Sequence, residues 1–275
     1  SPMTFTGTRT YLLGHTRLAV IDPGPDDPAH KDAMLAALGP GQTISHIFVT
    51  HAHLDHSPLA TRLGQELGVP TYAFGPAQAG RSQIMEALAM AGEVGGGEGL
   101  DLDFTPDHAL QDGETVEGEG WRLQALHTPG HLASHMCFAF GDMLFSGDHI
   151  MGWASTLVSP PDGDVGQFMA SLDKVEQGKF RKLFPGHGPV VEQPAALIAH
   201  LRKHRQAREA QILIHLEKGP ATAAGLTALI YTDVPKAMHG AAARNVLAHL
   251  IDLVERGEIQ VAGDTIAVQA LFRRV

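Results

Sequence analysis

The heptapeptide Thr50-His51-Ala52-His53-Leu54-Asp55-His56 constrains this chain more tightly than any other stretch, because it sets three imidazoles and a carboxylate within six consecutive positions. Divalent ions such as zinc take neutral imidazole nitrogens and carboxylate oxygens at ~2.0–2.2 Å, usually in four-coordinate geometry. Four donors this close along one chain do not serve a single ion comfortably. In a loop leaving a strand, His51 and His53 share one side by alternation, and Asp55 and His56 turn toward a second ion. Two half-sites are therefore begun here, and the fold must bring further donors to complete them. The competing reading is a solvated histidine-rich loop. It would win for any one of the 17 histidines taken alone, but not for this cluster.

The scaffold is large enough for such a site. With 275 residues and 44% apolar content, the chain can bury a substantial core as one large domain or as a main domain plus a small one. No stretch reaches the ~18–20 apolar residues of a membrane span, and no signal-like leader precedes the first strand, so no membrane association is expected. A lone cysteine, Cys137, allows no intrachain disulfide, which fits a reducing compartment and makes the cytoplasm the expected location. Charge is uneven: residues 1–199 carry 10 Lys+Arg against 23 Asp+Glu, and residues 200–275 carry 10 against 7. The acidic part reads as a solvated surface partly offset by bound cations. The basic tail is weak evidence for an anionic partner.

Hydrophobic periodicity predicts a hairpin over Thr10–Leu13 and Leu18–Ile21, broken by Asp22-Pro23-Gly24-Pro25, then a helix over Ala29–Leu38 and a buried strand over Ile44–Thr50. Ser57-Pro58 predicts a helix start with a capping hydroxyl, running over Leu59–Leu67 and stopped by Gly68. A strand over Val69–Ala73, a helix over Ala77–Ala91 and a flexible surface loop over Gly92–Gly99 follow. Those glycines lack the spacing of a phosphate cradle. Short strands are expected at Arg122–Leu126, His135–Phe140, Met143–Phe145 and Lys182–Phe184, with a helix over Val165–Val175 capped by Asp164. Beyond about Pro194 the pattern becomes three helices, Ala195–Leu216, Ala221–Tyr231 and Ala241–Arg256. Two short strands, Ile259–Ala262 and Thr265–Val268, then turn at Gly263-Asp264. Three helices and a hairpin describe a winged helix, a module that either binds nucleic acid or serves only for packing.

Further donors lie just past predicted strands: His131 in His127-Thr128-Pro129-Gly130-His131, Asp148 in Ser146-Gly147-Asp148-His149, and His187 in Pro185-Gly186-His187-Gly188. The set THAHLDH, TPGH, SGDH and PGHG resembles the metallo-beta-lactamase superfamily over residues 10 to about 190. The resemblance implies an αββα sandwich, of α/β (α+β) class, as a catalytic domain over residues 1–195, followed by a small winged-helix domain over 196–275. It implies that His51, His53 and His131 hold one metal, Asp55, His56 and His187 a second, and that Asp148 bridges both. The cofactors implied are two divalent ions per chain, zinc foremost, with iron or manganese as alternatives. A hydroxide between the ions would then be the nucleophile for an ester-like or phosphodiester bond, with Asp55 orienting it.

Branches of the superfamily are separable by substitution. Class B beta-lactamases lack the bridging aspartate, so Asp148 argues against antibiotic hydrolysis. The diiron oxygen reductases carry Glu where His53 stands. Glyoxalase II shares the ligands, but its glutathione-binding positions are not recognisable in His149-Ile150-Met151-Gly152-Trp153. Gly130-His131 followed by Ser134-His135-Met136, then Leu144-Phe145-Ser146-Gly147-Asp148 and Pro185-Gly186-His187-Gly188-Pro189, resemble the beta-lactamase-like protein 2 group, which joins this catalytic domain to a winged helix and includes members that cut single-stranded RNA. Expected partners are therefore a small-molecule ester, lactone or thioester, or single-stranded RNA, with a homo-oligomer as a further expectation. The rival from another class is a non-enzymatic, nucleic-acid-binding winged-helix protein whose metal site is structural or sensing. The acidic main domain shows no basic stripe with interleaved aromatics of the kind that grips a strand. His135 is a candidate catalytic residue that would protonate a leaving group, or else a buried hydrogen-bonder. His149 and Cys137 read as structural. Met151 and Trp153 are either an apolar lip over the metals or ordinary packing.

Overall fold

Alternation along the strands sets the layers of the computed structural model, which describes residues 4–263 and 265–275. In β2 (Arg17–Ile21), Ala19 and Ile21 face one side and Val20 the other; in β8 (Met136–Phe140), Met136 and Phe138 face one side and Cys137 and Ala139 the other. This period of two gives each sheet two buried faces. The first sheet runs β1 (Tyr11–Leu13), β2, β3 (Thr43–Phe48), β4 (Thr71–Ala73) and β5 (His108–Ala109), parallel except for the β1–β2 pair. The second runs β10 (Lys182–Pro185), β9 (Met143–Gly147), β8, β7 (Trp121–His127) and β6 (Thr115–Gly118), antiparallel except for β9–β10.

Three apolar layers hold these sheets. Between them lie Ala19, Ile21 and Phe48 against Trp121, Leu123, Met136, Phe138 and Phe145. Outside the first sheet, Val20, Ile44, Ile47 and Val49 meet Met34 of α1 (Pro28–Ala36) and Leu59 and Leu63 of α2 (Pro58–Leu67). Outside the second, Cys137, Leu144 and Leu183 meet Phe168 and Leu172 of α4 (Val165–Gln177) and Ile198 and Leu201 of α5 (Pro194–Leu216). The result is the expected αββα sandwich. Burying one such leucine or phenylalanine contributes roughly 1.5–3 kcal/mol, so these layers dominate stability.

A small module follows, built from the end of α5, α6 (Ala223–Ile230), α7 (His239–Glu255) and the antiparallel pair β11 (Ile259–Val261) and β12 (Phe272–Arg274). Its core joins Ile212, Leu216, Leu226, Val246, Leu250, Ile251 and Phe272 to Met85, Leu88 and Val94, the first two from α3 (Gln83–Ala91). Helix α5 runs unbroken through position 195/196, so no linker stands at the expected boundary between the two parts.

Several local expectations are corrected. The wing's second strand is β12 rather than Thr265–Val268, because Phe272 reaches the module core and pairs through its backbone with both Val261 and Ala221. The expected turn at Asp264 lies outside the described residues. Helix α3 starts only at Gln83, where the Ser82 hydroxyl caps Met85 N, so Ala77–Ser82 is not helical. Ser57 does not cap α2; its hydroxyl donates to Asp101 Oδ2 at 2.7 Å instead. The Gly92–Gly99 segment is pinned rather than free, with Val94 buried and Gly97 N donating to Asp162 Oδ2. Asp164 caps α4 as expected. Among the described residues, no helix is long and apolar enough to cross a membrane.

Candidate metal centre

All four donor segments leave the same edge of the sandwich: His51–His56 past β3, His131 past β7, Asp148 past β9 and His187 past β10. The donors fall into three overlapping groups whose ligand atoms lie within 4.8 Å of one another: His51, His53 and His131; Asp55, His56 and His187; and His51, His56 and Asp148. Asp148 thus joins one histidine from each of the other two groups. Its Oδ1 is 3.7 Å from His56 Nε2, and its Oδ2 is 3.8 Å from His131 Nε2 and 3.3 Å from His187 Nε2.

Outer hydrogen bonds decide which ring nitrogen faces inward. His131 Nδ1 meets Leu157 O at 2.8 Å, His56 Nδ1 meets Asp22 Oδ2 at 2.9 Å, and His187 Nδ1 meets Gly7 O at 3.2 Å. Each outer acceptor keeps the proton on Nδ1 and leaves Nε2 as a lone pair pointing into the cluster. His51 Nδ1 sits 2.9 Å from the Thr50 hydroxyl, and its Nε2 has no partner. Ring nitrogens consequently crowd inward: His56 Nε2 lies 3.3 Å from His187 Nε2, and His131 Nε2 lies 3.2 Å from His53 Nδ1. Buried nitrogens this close need a cation among them, either a proton or a metal ion. Asp148 Oδ1, buried and also without a hydrogen-bond partner, repeats the signature. The donor set therefore fits divalent ions.

Electrostatics divide the cluster. Burial and neighbouring rings lower His51 well below 6.5 and His53 to about 3, and burial also lowers His131, all favouring the neutral form that binds a metal. Burial opposes charge on His56 as well, but Asp22, Asp148 and Asp55 outweigh it and raise the ring to about 9. Burial is likewise outweighed at His187, where hydrogen bonds to Asp148 and Asp55 raise it to about 10. Both carboxylates resist burial and are held well below the usual range, Asp55 by His56, His187 and Thr8, and Asp148 by His56, His187 and His131. The centre gathers positive charge around permanently ionised carboxylates.

Backbone economy matters at the closest approach. A Cβ on Gly186 would stand 2.5 Å from Asp148 Oδ1 and 2.7 Å from His56 Cε1, so only glycine lets the chain leaving β10 pass beneath two donors.

His135 lies under the cluster rather than at its mouth. It is fully buried, with Nδ1 2.9 Å from the Thr128 hydroxyl and Nε2 accepting from Asp148 N at 3.1 Å. Both nitrogens are engaged, which favours the buried hydrogen-bonder over the leaving-group acid. Trp153 stands at the edge: its ring lies against Gly188 and 5.3 Å from the ring of Phe5. Met151 is buried packing.

Two residues at the site went unforeseen. Asp22 is 2% exposed and accepts from Thr50 N and the Thr50 hydroxyl, both at 2.7 Å, as well as facing His56. The signal for it was an acidic residue ending an apolar strand, which had suggested only a turn. Thr8 donates to Asp55 Oδ2 at 2.8 Å, and nothing in its local pattern marks it.

Comparisons with known proteins agree with this geometry. Residues 3–187 match the family model described as Metallo-beta-lactamase superfamily, and residues 222–267 match the Beta-lactamase associated winged helix domain. A beta-lactamase-like protein 2 homolog of Drosophila melanogaster is 31% identical over 274 residues, covering 95% of this chain and 87% of that protein. An atrochrysone carboxyl ACP thioesterase of Paecilomyces divaricatus is 28% identical over 86% of this chain and 68% of its own length. The crystal structure of a metallo-beta-lactamase family protein from Thermus thermophilus aligns with a TM-score of 0.76 at 25% identity, over 98% of this chain and 94% of that one.

Proposed function

The chain belongs to the metallo-beta-lactamase superfamily, and on that premise we propose that it is a hydrolase of ester-like bonds, acting on an acyl thioester, ester or lactone. The observation that carries this reading is the convergence of seven donors into three overlapping groups, with the buried His51 Nε2 and Asp148 Oδ1 left without a hydrogen-bond partner. His51, His53 and His131 would hold one divalent ion, Asp55, His56 and His187 a second, with Asp148 between them. Zinc suits such a set, and iron or manganese also binds imidazole-rich sites. Such ions supply Lewis acidity toward the scissile oxygen and lower the pKa of water so that it attacks near neutral pH.

The protein's own part is orientation. Asp55 is an open donor, with its side chain 35% exposed, and substrate reaches the centre past it. Its low proton affinity suits it to orient the attacking water by a hydrogen bond rather than to retain the proton. His135 positions Asp148 by accepting from its backbone N–H. The half-exposed side chains of Leu54 and Phe5, together with Trp153, present apolar surface around the opening. An acyl group suits that rim better than a polyanion does.

A groove-reading role for the C-terminal module is disfavoured by α7. The third helix of a DNA-reading helical module lies in the major groove. Here α7 is buried along most of its length, from Ala242 to Leu253, and packs against α4 and α6. That burial weighs against the non-enzymatic reading in which the module binds nucleic acid by groove contacts.

The test is a panel of acyl thioesters, lactones, phosphodiesters and fluorogenic single-stranded RNA on protein of measured metal content. Metal-dependent turnover of an acyl substrate, abolished in Asp55→Ala with circular dichroism unchanged, is expected. Cleavage of RNA alone by the loaded protein, or full activity in Asp55→Ala, would sink the proposal.

A further inference from the structure

We propose that Arg205 of α5 and Asn245 of α7 are positioning residues of the metal centre, holding the segment Thr156–Val158 that orients His131 and Asp148. The inference rests on reading the cluster as a metal centre. It assigns to the C-terminal helices a part in building that centre.

Arg205 occupies a place where the pattern of α5 calls for an apolar residue. It lies on the stripe of Ile198, Leu201, Ile212 and Leu216 and is 4% exposed. Among the described residues no carboxylate comes within ion-pair distance of it. Its guanidinium covers the Phe168 ring, 4.9 Å from the centroid. Burial lowers its pKa to about 10, so the side chain enters the interior charged at neutral pH. Desolvating an unpaired cation is costly, and a leucine at the same place would avoid that cost. What the charge provides is two directed bonds: Nη1 donates to Asn245 Oδ1 at 3.0 Å, and Nη2 donates to the carbonyl oxygen of Thr156.

Asn245 completes the grip. Its Oδ1 receives Arg205 Nη1 and also Val158 N, each at 3.0 Å. Two donors on one atom require that atom to be the oxygen, so the amide orientation follows from chemistry. Thr156 and Val158 are thus fastened on either side of Leu157, and it is Leu157 O that accepts from His131 Nδ1 at 2.8 Å. The Thr156 hydroxyl lies 2.7 Å from Asp148 O and 3.0 Å from His149 O. One gripped tripeptide therefore sets the tautomer of one donor and the backbone position of another. Residues of this kind typically govern metal affinity by 10–100-fold.

The experiment titrates metal-free protein with Co2+ and follows the visible absorption of the bound ion, with thermal melts of the metal-free forms alongside. Asn245→Ala and Arg205→Met are expected to weaken one of two equivalents by about 10–100-fold and to alter its spectrum. Asn245→Asp retains an oxygen and is expected to keep wild-type affinity. Arg202→Ala serves as the control. It removes a surface bridge from α5 to Asp173 and Glu176 of α4, loosening the seating of α5 without touching Asn245 or the tripeptide. Wild-type affinity and spectrum in Asn245→Ala would overturn the proposal, as would an equal loss in Arg202→Ala. Should Arg205→Met fail to fold, the Asn245 pair decides the matter. Failure of the wild-type protein to take up cobalt would instead overturn the metal-centre reading itself.

Discussion

Asp22 Oδ2 lies 2.9 Å from His56 Nδ1, with the Asp22 backbone at φ 50°, a left-handed conformation that aspartate tolerates better than most residues. That turn brings a carboxylate from the end of β2 beneath the histidine loop at the end of β3. Three donors converge on it: Thr50 N, the Thr50 hydroxyl and His56 Nδ1.

Asp22→Asn should therefore cost more than its size suggests. An amide nitrogen cannot accept: at the Oδ1 place it strands Thr50 N, and at the Oδ2 place it strands the Thr50 hydroxyl and His56 Nδ1, taking from His56 the partner that keeps Nε2 free. Metal affinity is expected to fall about 10–100-fold, and stability by ~1–3 kcal/mol. Metal titration and urea melts of the same preparation check both. Unaltered affinity would mean that His56 needs no outer partner.

Gly186→Ala places a methyl group against Asp148 Oδ1 and His56 Cε1. Neither atom belongs to a freely moving chain end, so the donors must part. Displacing reactive groups by about 1 Å can cost ~10²-fold in rate. Loss of a metal equivalent and of activity, with the fold retained by circular dichroism, is expected; full metal content would contradict it.

Trp153→Ala should separate binding from chemistry. The indole touches no donor but lies against Gly188, next to His187. On an acyl substrate KM is expected to rise about tenfold, equivalent to ~1.4 kcal/mol, while kcat holds. A fall in kcat at constant KM would place the indole in the chemistry instead.

Acid sensitivity should trace in part to His249, deep in the module. Burial first, then the charges of Arg205, Arg208, His204 and Arg256, depress its pKa from 6.5 to about 3. The folded protein resists a proton that the unfolded chain accepts. Its contribution is therefore whole above pH 6.5 and is lost as pH falls toward 3, at up to about 1.4 kcal/mol per pH unit. His249→Leu should flatten that decline in urea melts of metal-loaded protein between pH 7 and 4.5. Parallel declines in variant and wild type would assign the sensitivity elsewhere.

The donors could be read in the chain because each follows an apolar strand, and strands of period two deliver their loops to one edge. His51, His53, Asp55 and His56 also lie side by side, so no tertiary knowledge was needed to see them as a set. The residues that hold the donors are of another kind. Asp22 looked like a turn, Thr8 like any threonine, and Leu157 acts through a carbonyl group that every residue has. Arg205 did carry a signal, a charge on an apolar stripe, but its target is 49 positions away. Which of the two roles open to His135 the structure favours was hidden for a similar reason. Closeness to the donors in sequence said nothing of whether its nitrogens faced the opening or the backbone of Asp148. The wing strand was misplaced because the alternation of Thr265–Val268 weighed less than the anchoring of Phe272 in the core.

Helix α5 has a consequence for how the molecule comes apart. One end of this rod is rooted in the layer over the second sheet through Ile198 and Leu201, and the other in the module through Ile212 and Leu216. Melting the module would withdraw the same helix that seals the sandwich, together with Ala248, which α7 contributes to that layer. The two cores are thermodynamically coupled, and the chain should unfold in a single cooperative step where two matched segments would suggest two.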